Sequence, residues 1–390
     1  MKHVLTIFIY FLSANSYSQD LISVATTHLN DKNYVEAKTA IDQAFEEPGI
    51  SDNPRAWFMK ARVYHEIFES KDPKLKPFKT NLTVLINTVV DSYNNTLSLT
   101  TRKSNLQVLA KNQIEILWAN GINEGTRLFQ AQKFDEAIDA FLVSKISKPT
   151  ETRAFIFTAL CAVYAGKYQL AVENYMAAKD LDVLSKQAYD GLIIAKRNLR
   201  VSAADLLDVV EDARFNYPDH IPYIIEEVRT LIRLQKLEEA ESVLNTSVNR
   251  NPGNMELILR QADLFDIIFK SAYADGMPER SESYFEQASM NYERFLKDSP
   301  DNFTANYNYA VMINEQANRI YTRINLMSNE EYEIVGKETE EIGHDWTRKA
   351  LPYMEKAWEV KPGDKKVMEA LSVFYSRLKM DEKLTALNRN

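Results

Sequence analysis

The chain has 390 residues, a formal net charge of −8 and one cysteine. This negative balance argues against binding to nucleic-acid phosphates, which needs a clustered basic surface, and a single cysteine cannot form an intramolecular disulfide. Because 45% of the residues are apolar and only 10 are glycine, we expect long helices in a folded protein.

Residues 1–18 have the pattern of a secretory signal peptide. Lys2 precedes a mainly apolar run from Val4 to Leu12, and Ser16-Tyr17-Ser18 is a small-x-small cleavage site. We expect cleavage before Gln19 and export to the periplasm or the medium; a buried N-terminal helix is the alternative. No cysteine follows the cleavage site to carry a lipid anchor, and no later apolar run is long enough for a transmembrane segment.

Residues 20–103 predict helix pairs of irregular length. Pro54 suits the first turn of a helix. We expect a basic, proline-bearing loop at 71–77, an amphipathic helix over 82–93, and a polar, turn-like segment over 94–104.

Residues 104–254 carry a register that returns after 34 residues, beginning within a long helix predicted over 106–130. Such a period is typical of a repeated helix–turn–helix unit, and residues 186–219 form a degenerate copy of it. The positions that share the register are Gly125, Phe134, Ala137, Phe141 and Pro149, then Ala159, Tyr168, Ala171 and Tyr175, then Ala240 and Pro252.

Residues 255–388 keep the pattern but lengthen it. Ala262 and Ala288 are separated by 14 residues more than the equivalent Ala159 and Ala171, and a second insert adds 28 residues. Split between two antiparallel helices, these inserts lengthen each helix by roughly 10 Å and roughly 21 Å. Whole heptads keep the same stripe facing the partner helix, so we predict long helical hairpins.

These residues resemble the tetratricopeptide repeat (TPR) family. Tyr307-Asn308-Tyr309-Ala310 resembles the first-helix motif of the family, and Phe134-Asp135-Glu136-Ala137-Ile138 and Leu237-Glu238-Glu239-Ala240 resemble its second-helix motif. The pattern weakens at residues 186–219, where Ile193 and Ile194 replace the usual small residue. The closing prolines are Pro149, Pro252, Pro300 and Pro362.

The resemblance implies an all-α, right-handed superhelical solenoid of about eight helix pairs, formed as a single unit over residues 19–388. It also implies a non-enzymatic scaffold for protein–protein interaction. The layout is similar to that of exported bacterial TPR-repeat proteins with lengthened C-terminal hairpins.

The repeat register places a set of side chains on the inner face of the first helices. One interpretation is a groove for a protein or peptide partner; the other is ordinary packing between neighbouring repeats. The candidate partner-binding residues are Arg153, Ile156, Leu160, Tyr164, Gly191, Arg229, Arg233, Asp263 and Asp266.

The segment 329–345 is a competing candidate. It contains six glutamates and one aspartate but only Lys337 among the basic residues. It is either an acidic hairpin tip for a basic partner or a solvated helical face.

No pattern in the chain predicts catalysis. The five histidines do not share a metal-ligand spacing, and no phosphate-binding loop or nucleophile motif is present. We therefore expect no catalytic residues, no metal and no cofactor. The alternative function is a periplasmic small-molecule or glycan-binding protein, although the four tryptophans are spread along the chain.

Overall fold

The computed structural model describes residues 20–387. The predicted signal peptide at 1–18 lies outside this range. The chain divides into two compact units, with the boundary between Val201 and Ser202. This boundary falls inside the degenerate segment 186–219. Both units consist of helices joined by short turns, and the described residues contain no strand, so the predicted all-α class is confirmed.

The first unit is a series of antiparallel helices in which each helix packs against its neighbours in sequence. Two short 3₁₀ segments, Ile50–Asp52 and Pro73–Lys79, lie between helices. The helices are α1 (20–30), α2 (Tyr34–Ala44), α3 (Pro54–Glu69), α4 (Leu82–Leu99), α5 (Asn105–Gln130), α6 (Phe134–Ser147), α7 (Thr152–Tyr164), α8 (Tyr168–Leu181) and α9 (Lys186–Asn198).

The second unit continues in the same manner around one large apolar core. A π-helical segment, Tyr332–Gly336, joins α16 to α17 without a break. The helices are α10 (Ala203–Asn216), α11 (Ile221–Arg233), α12 (Leu237–Arg250), α13 (Met255–Ala274), α14 (Pro278–Asp298), α15 (Phe303–Leu326), α16 (Asn329–Glu331), α17 (Lys337–Val360), α18 (Lys365–Arg377) and α19 (Asp381–Leu387).

Seven turns between consecutive helices within residues 20–387 share one geometry. After α5, Gln132 has a φ of 58° and Lys133 N–H donates to the Leu128 carbonyl at 2.9 Å, which is a Schellman cap. Gly166 occupies the same position after α7, with a φ of 71°. The left-handed residues at these turns are Lys32, Gln132, Gly166, Arg200, Gln235, Gly276 and Lys379.

The predicted closing prolines mark the ends of the second helices. α6 ends at Ser147, two residues before Pro149, and the same offset separates α12 from Pro252. The next first helix is commonly capped by a polar side chain; Asn254 Oδ1, for example, accepts from Leu257 N–H at 3.1 Å. Such caps satisfy backbone donors that the helix itself leaves free.

Small residues lie where the helices of a pair cross. Ala137, Ala171 and Ala240 are fully buried. A methyl group added at Gly125 would lie 2.5 Å from the Phe141 ring of α6, so only glycine fits there. The recurring small and aromatic positions in the sequence are therefore the contact points of the pairs.

The predicted long hairpins are confirmed: α13 and α14 have 20 and 21 residues, whereas α7 and α8 have 13 and 14. The second hairpin is less symmetric than predicted. α15 ends at Leu326, and its antiparallel partner runs from Asn329 through the π-helical segment to Val360. The added residues are therefore not divided equally between the two arms.

One boundary prediction is wrong. Residues 94–99 belong to α4 and are not a turn. Thr96 is fully buried there, and its hydroxyl donates to the Ser92 carbonyl at 2.9 Å, so a polar sequence packs as a helix. Across residues 20–387, no helix combines the length and the apolar character that a membrane crossing requires.

Candidate binding surface

An apolar pocket lies in the first unit where α5, α6 and α7 meet. Its volume is about 250 Å³. The wall is mainly aromatic and aliphatic, and the few polar side chains come from the end of α5. The lining residues are Thr126, Phe129, Gln130, Phe141, Phe157, Leu160 and Cys161. We call this the apolar pocket.

Three aromatic rings lie beside the apolar pocket, at the turn between α5 and α6 and at the end of α7. The rings of Phe134 and Tyr164 stack with centroids 5.3 Å apart, and Phe129 meets Tyr164 edge-on at 5.5 Å. Tyr164 nevertheless remains 62% exposed. Phe129, which lines the pocket, thus links it to a large exposed aromatic side chain held in place by its neighbours.

The four candidates on α7 have different environments. Leu160 lines the apolar pocket, and Tyr164 contacts Phe129. Ile156 is half-buried. Arg153 is exposed, and its guanidinium carbon lies 5.8 Å from the centre of the Trp118 ring.

Cys161 has no features of a reactive thiol. It is fully buried, and burial raises the pKa of its thiol to about 11. Since the thiolate is the nucleophilic form, the side chain is an apolar part of the pocket wall.

Gly191 lies in a packed contact inside the first unit. A methyl group there would lie 2.2 Å from the Tyr175 hydroxyl. Tyr175 is 1% exposed. The space beside Gly191, a candidate for partner binding, is therefore filled by Tyr175 of the chain itself.

In the second unit, Arg229 and Arg233 are both exposed on α11. Arg229 forms an ion pair with Glu226, with Nη1 and Oε2 2.9 Å apart. The Glu226 side chain is only 7% exposed. Arg229 thus pairs with a buried carboxylate of its own helix. Arg233 lies one turn later on the same helix and is exposed.

The two aspartates on α13 lie deeper than the arginines. Asp266 is 9% exposed and pairs with Lys270, with Oδ2 and Nζ 2.7 Å apart. Asp263 accepts hydrogen bonds from Tyr292 and Asn308. Both aspartates are therefore engaged in contacts within the second unit.

The acidic segment 329–345 lies at the start of the second arm of the long hairpin. Arg348 pairs with Glu341 at 2.8 Å and with Asp345 at 2.6 Å, and all three side chains are largely exposed. Ile334 is 81% exposed among these charges. The segment is a solvated, acidic helical face with exposed apolar side chains.

The repeat register identified Leu160 and Tyr164 as candidates. It did not identify Phe157 and Gln130, which also line the apolar pocket. Phe157 lies three residues before Leu160, so a helical spacing would have placed the two on one stripe. The repeat register also did not identify the residues of α3 that line a second cavity. Among residues 20–387, no group of histidine, cysteine, aspartate and glutamate side chains could hold a metal ion.

No protein-family model matches the chain, and no curated protein matches it. Among solved structures, the chain is similar to YrrB, a TPR protein with an unusual peptide-binding site, at 15% identity and a TM-score of 0.35; the match covers 47% of this chain and 88% of that one. A thermophilic TPR protein from Thermus thermophilus matches at 18% identity and a TM-score of 0.29, over 50% of this chain and 98% of that one.

A tetratricopeptide repeat protein from Parabacteroides merdae matches at 14% identity and a TM-score of 0.25, over 70% of this chain and 93% of that one. The TPR-type fold is established by the helix pairs themselves: their 34-residue register, their repeated Schellman turns and the small residues at their crossings.

Proposed function

We propose that this chain, a TPR-type repeat protein, is a non-enzymatic scaffold that binds a protein or peptide through the apolar pocket of α5, α6 and α7. The observation that supports this function is the exposed Tyr164, packed against Phe129 at a preformed apolar concavity. Large exposed aromatic side chains beside such concavities are common anchors of protein interfaces.

The size of the pocket favours a side chain of a peptide over a free ligand. Small-molecule sites usually have volumes of about 300–1,000 Å³, and the apolar pocket has about 250 Å³. A single leucine-sized or phenylalanine-sized side chain suits this space, and the surrounding first helices would contact the rest of the peptide.

We also propose that the chain acts in the cell envelope after export. The support is the sequence of residues 1–18, with its mainly apolar run and the small residues Ser16 and Ser18. Mass spectrometry of the protein purified from its natural host should give a mature chain that begins near Gln19. A native chain that retains Met1 would refute this proposal.

The binding function can be tested by selecting a random peptide library, displayed on phage, against the protein without residues 1–18. Binding of the selected peptides is then measured by calorimetry for the parent and for Tyr164→Ser. Loss of an anchor that costs about 2 kcal/mol weakens binding roughly thirtyfold.

The matched control is Phe215→Ser, because Phe215 is 83% exposed on α10 and far from the apolar pocket in sequence. We expect Tyr164→Ser to weaken binding and Phe215→Ser to leave it unchanged. Equal affinities of the parent and Tyr164→Ser for every selected peptide would refute binding at this pocket.

A further inference from the structure

A second cavity in the first unit lies between α3, α4 and α5. Its volume is about 330 Å³, which is at the low end of the range for small-ligand sites. Most of its lining comes from one face of α3. The lining residues are Phe58, Arg62, His65, Glu66, Glu69, Tyr93, Leu109 and Gln113. We call it the polar pocket.

The charged groups of the polar pocket do not balance. Glu66 and Glu69 contribute two carboxylates, and Arg62 contributes one guanidinium. Within residues 20–387, neither Arg62 nor Glu66 forms an ion pair with another side chain. The pocket therefore has an excess of negative charge that a cation could neutralise.

His65 is the buried polar group of this cavity. Its side chain is 9% exposed, and its Nε2 lies 3.5 Å from Glu69 Oε1 without a hydrogen bond. Its Nδ1 is 3.3 Å from the Tyr93 hydroxyl. Burial lowers the pKa of the imidazole, which favours the neutral ring and leaves the negative excess uncompensated.

The remaining walls are apolar. Phe58 and Tyr93 meet edge-on with ring centroids 5.9 Å apart, and Leu109 on α5 is 46% exposed. A long basic side chain places its methylene groups on apolar surface and its charge at a polar end. Aromatic rings near the charge add a cation–π contribution.

We infer that the polar pocket binds a basic side chain, arginine or lysine, of the partner peptide, with Glu66 and Glu69 receiving its charge. This inference rests on the proposed scaffold function and adds a preference for a basic residue. The aliphatic stem lies along Leu109 and Phe58. Arginine and lysine share this chemistry, and the test separates them.

The test uses the protein without residues 1–18 and three probes: N-acetyl-arginine amide, N-acetyl-lysine amide and the neutral N-acetyl-glutamine amide. Binding is measured by calorimetry, and the ring signals of ¹³C-labelled histidines are followed by NMR. We expect the His65 signal to shift and saturate with at least one basic probe and to remain unchanged with the glutamine probe.

The double variant Glu66→Gln with Glu69→Gln removes the charge and retains the shape. Since hydrogen bonds to charged groups contribute about 1.5–3 kcal/mol, we expect binding to weaken about tenfold to a hundredfold. The single variant Glu69→Gln, at a largely exposed side chain, should weaken it in the same direction. The control is Glu46→Gln with Glu47→Gln, which makes the same charge change after α2.

An unshifted His65 signal with both basic probes would overturn the inference, as would an equal response to the glutamine probe or unchanged affinity in Glu69→Gln. These outcomes leave the scaffold function intact, because that function is tested at Tyr164 in the apolar pocket. Conversely, loss of peptide binding at Tyr164 does not alter the response of His65 to the small probes.

Discussion

The Tyr292 hydroxyl donates a hydrogen bond to Asp263 Oδ1, with the two oxygens 2.8 Å apart. Asn308 Nδ2 donates to the same oxygen at 3.0 Å. Tyr292 is fully buried. Asp263, which the repeat register marked as a candidate for partner binding, therefore connects α13 to α14 and α15.

We expect Asp263→Ala to lower the free energy of unfolding by about 1–3 kcal/mol, because the buried Tyr292 hydroxyl loses its acceptor. Asp263→Asn keeps an acceptor and should lose less. In a double-mutant cycle with Tyr292→Phe, urea unfolding should show a coupling of at least about 0.5 kcal/mol. An Asp263→Ala protein as stable as the parent would exclude this structural role.

At two equivalent positions of the Schellman turns, Gly166 and Gln132, we expect substitutions to change the stability of the protein in opposite directions. Gly166 has a φ of 71° with no atom near its missing side chain, so Gly166→Ala tests backbone strain alone and should cost about 1–2 kcal/mol. Gln132 already bears this strain at a φ of 58°. Gln132→Gly should stabilise the protein by up to about 1 kcal/mol, since glycine's own entropy cost offsets part of the gain.

Urea unfolding midpoints measure both changes. Gly253→Ala is the matched control, because Gly253 also has open space but no positive φ. If Gly166→Ala and Gly253→Ala have the same stability, strain at the turn is not what selects glycine there.

The sequence predicted much of this fold because the small residues and prolines have one physical role each. Ala137 and Ala171 mark helix crossings, and Pro149 follows a helix end. The sequence did not predict the left-handed turns, because five of the seven left-handed residues are not glycine; Gln132 and Gln235 are examples. Backbone hydrogen bonds across the turn hold these residues in place.

The binding surface was less predictable. Leu160 and Tyr164 could be placed by helical spacing alone. Gly191 could not, because its environment is decided by Tyr175 from the preceding helix. Asp263 could not be placed for the same reason, because its role depends on Tyr292 and Asn308 from the next two helices. The repeat register does not show which side chains of neighbouring helices meet.

Asp266 should give the protein an unusual pH response. Burial raises the pKa of its carboxyl group, and the opposing effect of Lys270 is smaller. Because the folded pKa exceeds the unfolded pKa, the contribution of Asp266 to stability is greatest below its ordinary pKa of about 3.9 and is lost as the pH rises through the folded value.

We therefore expect Asp266→Asn to be more stable than the parent at pH 7, with the difference shrinking toward about pH 3.5. Urea unfolding of both proteins at the two pH values measures this. The unpartnered Asp266 Oδ1 supports the same direction. A difference that stays constant with pH would show that the carboxyl group does not titrate abnormally.

The last prediction separates the basic surface of α11 from the acidic hairpin. Arg229 and Arg233 are four residues apart, so both point to one side of the helix. If the acidic part of a partner peptide lies there, reversing the charge at Arg233 should weaken binding. Since Arg229 also pairs with the buried Glu226, the second change is Arg229→Gln, which avoids placing a like charge beside Glu226.

We expect Arg229→Gln with Arg233→Glu to reduce affinity for an acidic selected peptide about tenfold or more, with little change in melting temperature because both side chains are exposed. Lys365→Glu with Lys366→Gln makes the same charge change at exposed positions of α18 and should have no effect. The competing variant shortens the α15–α17 hairpin by the 28 inserted residues and is tested with basic selected peptides, which suit the acidic segment 329–345. If this variant loses binding while the α11 variant leaves the affinity of acidic peptides unchanged, the partner binds the hairpin and the α11 surface is not a binding site.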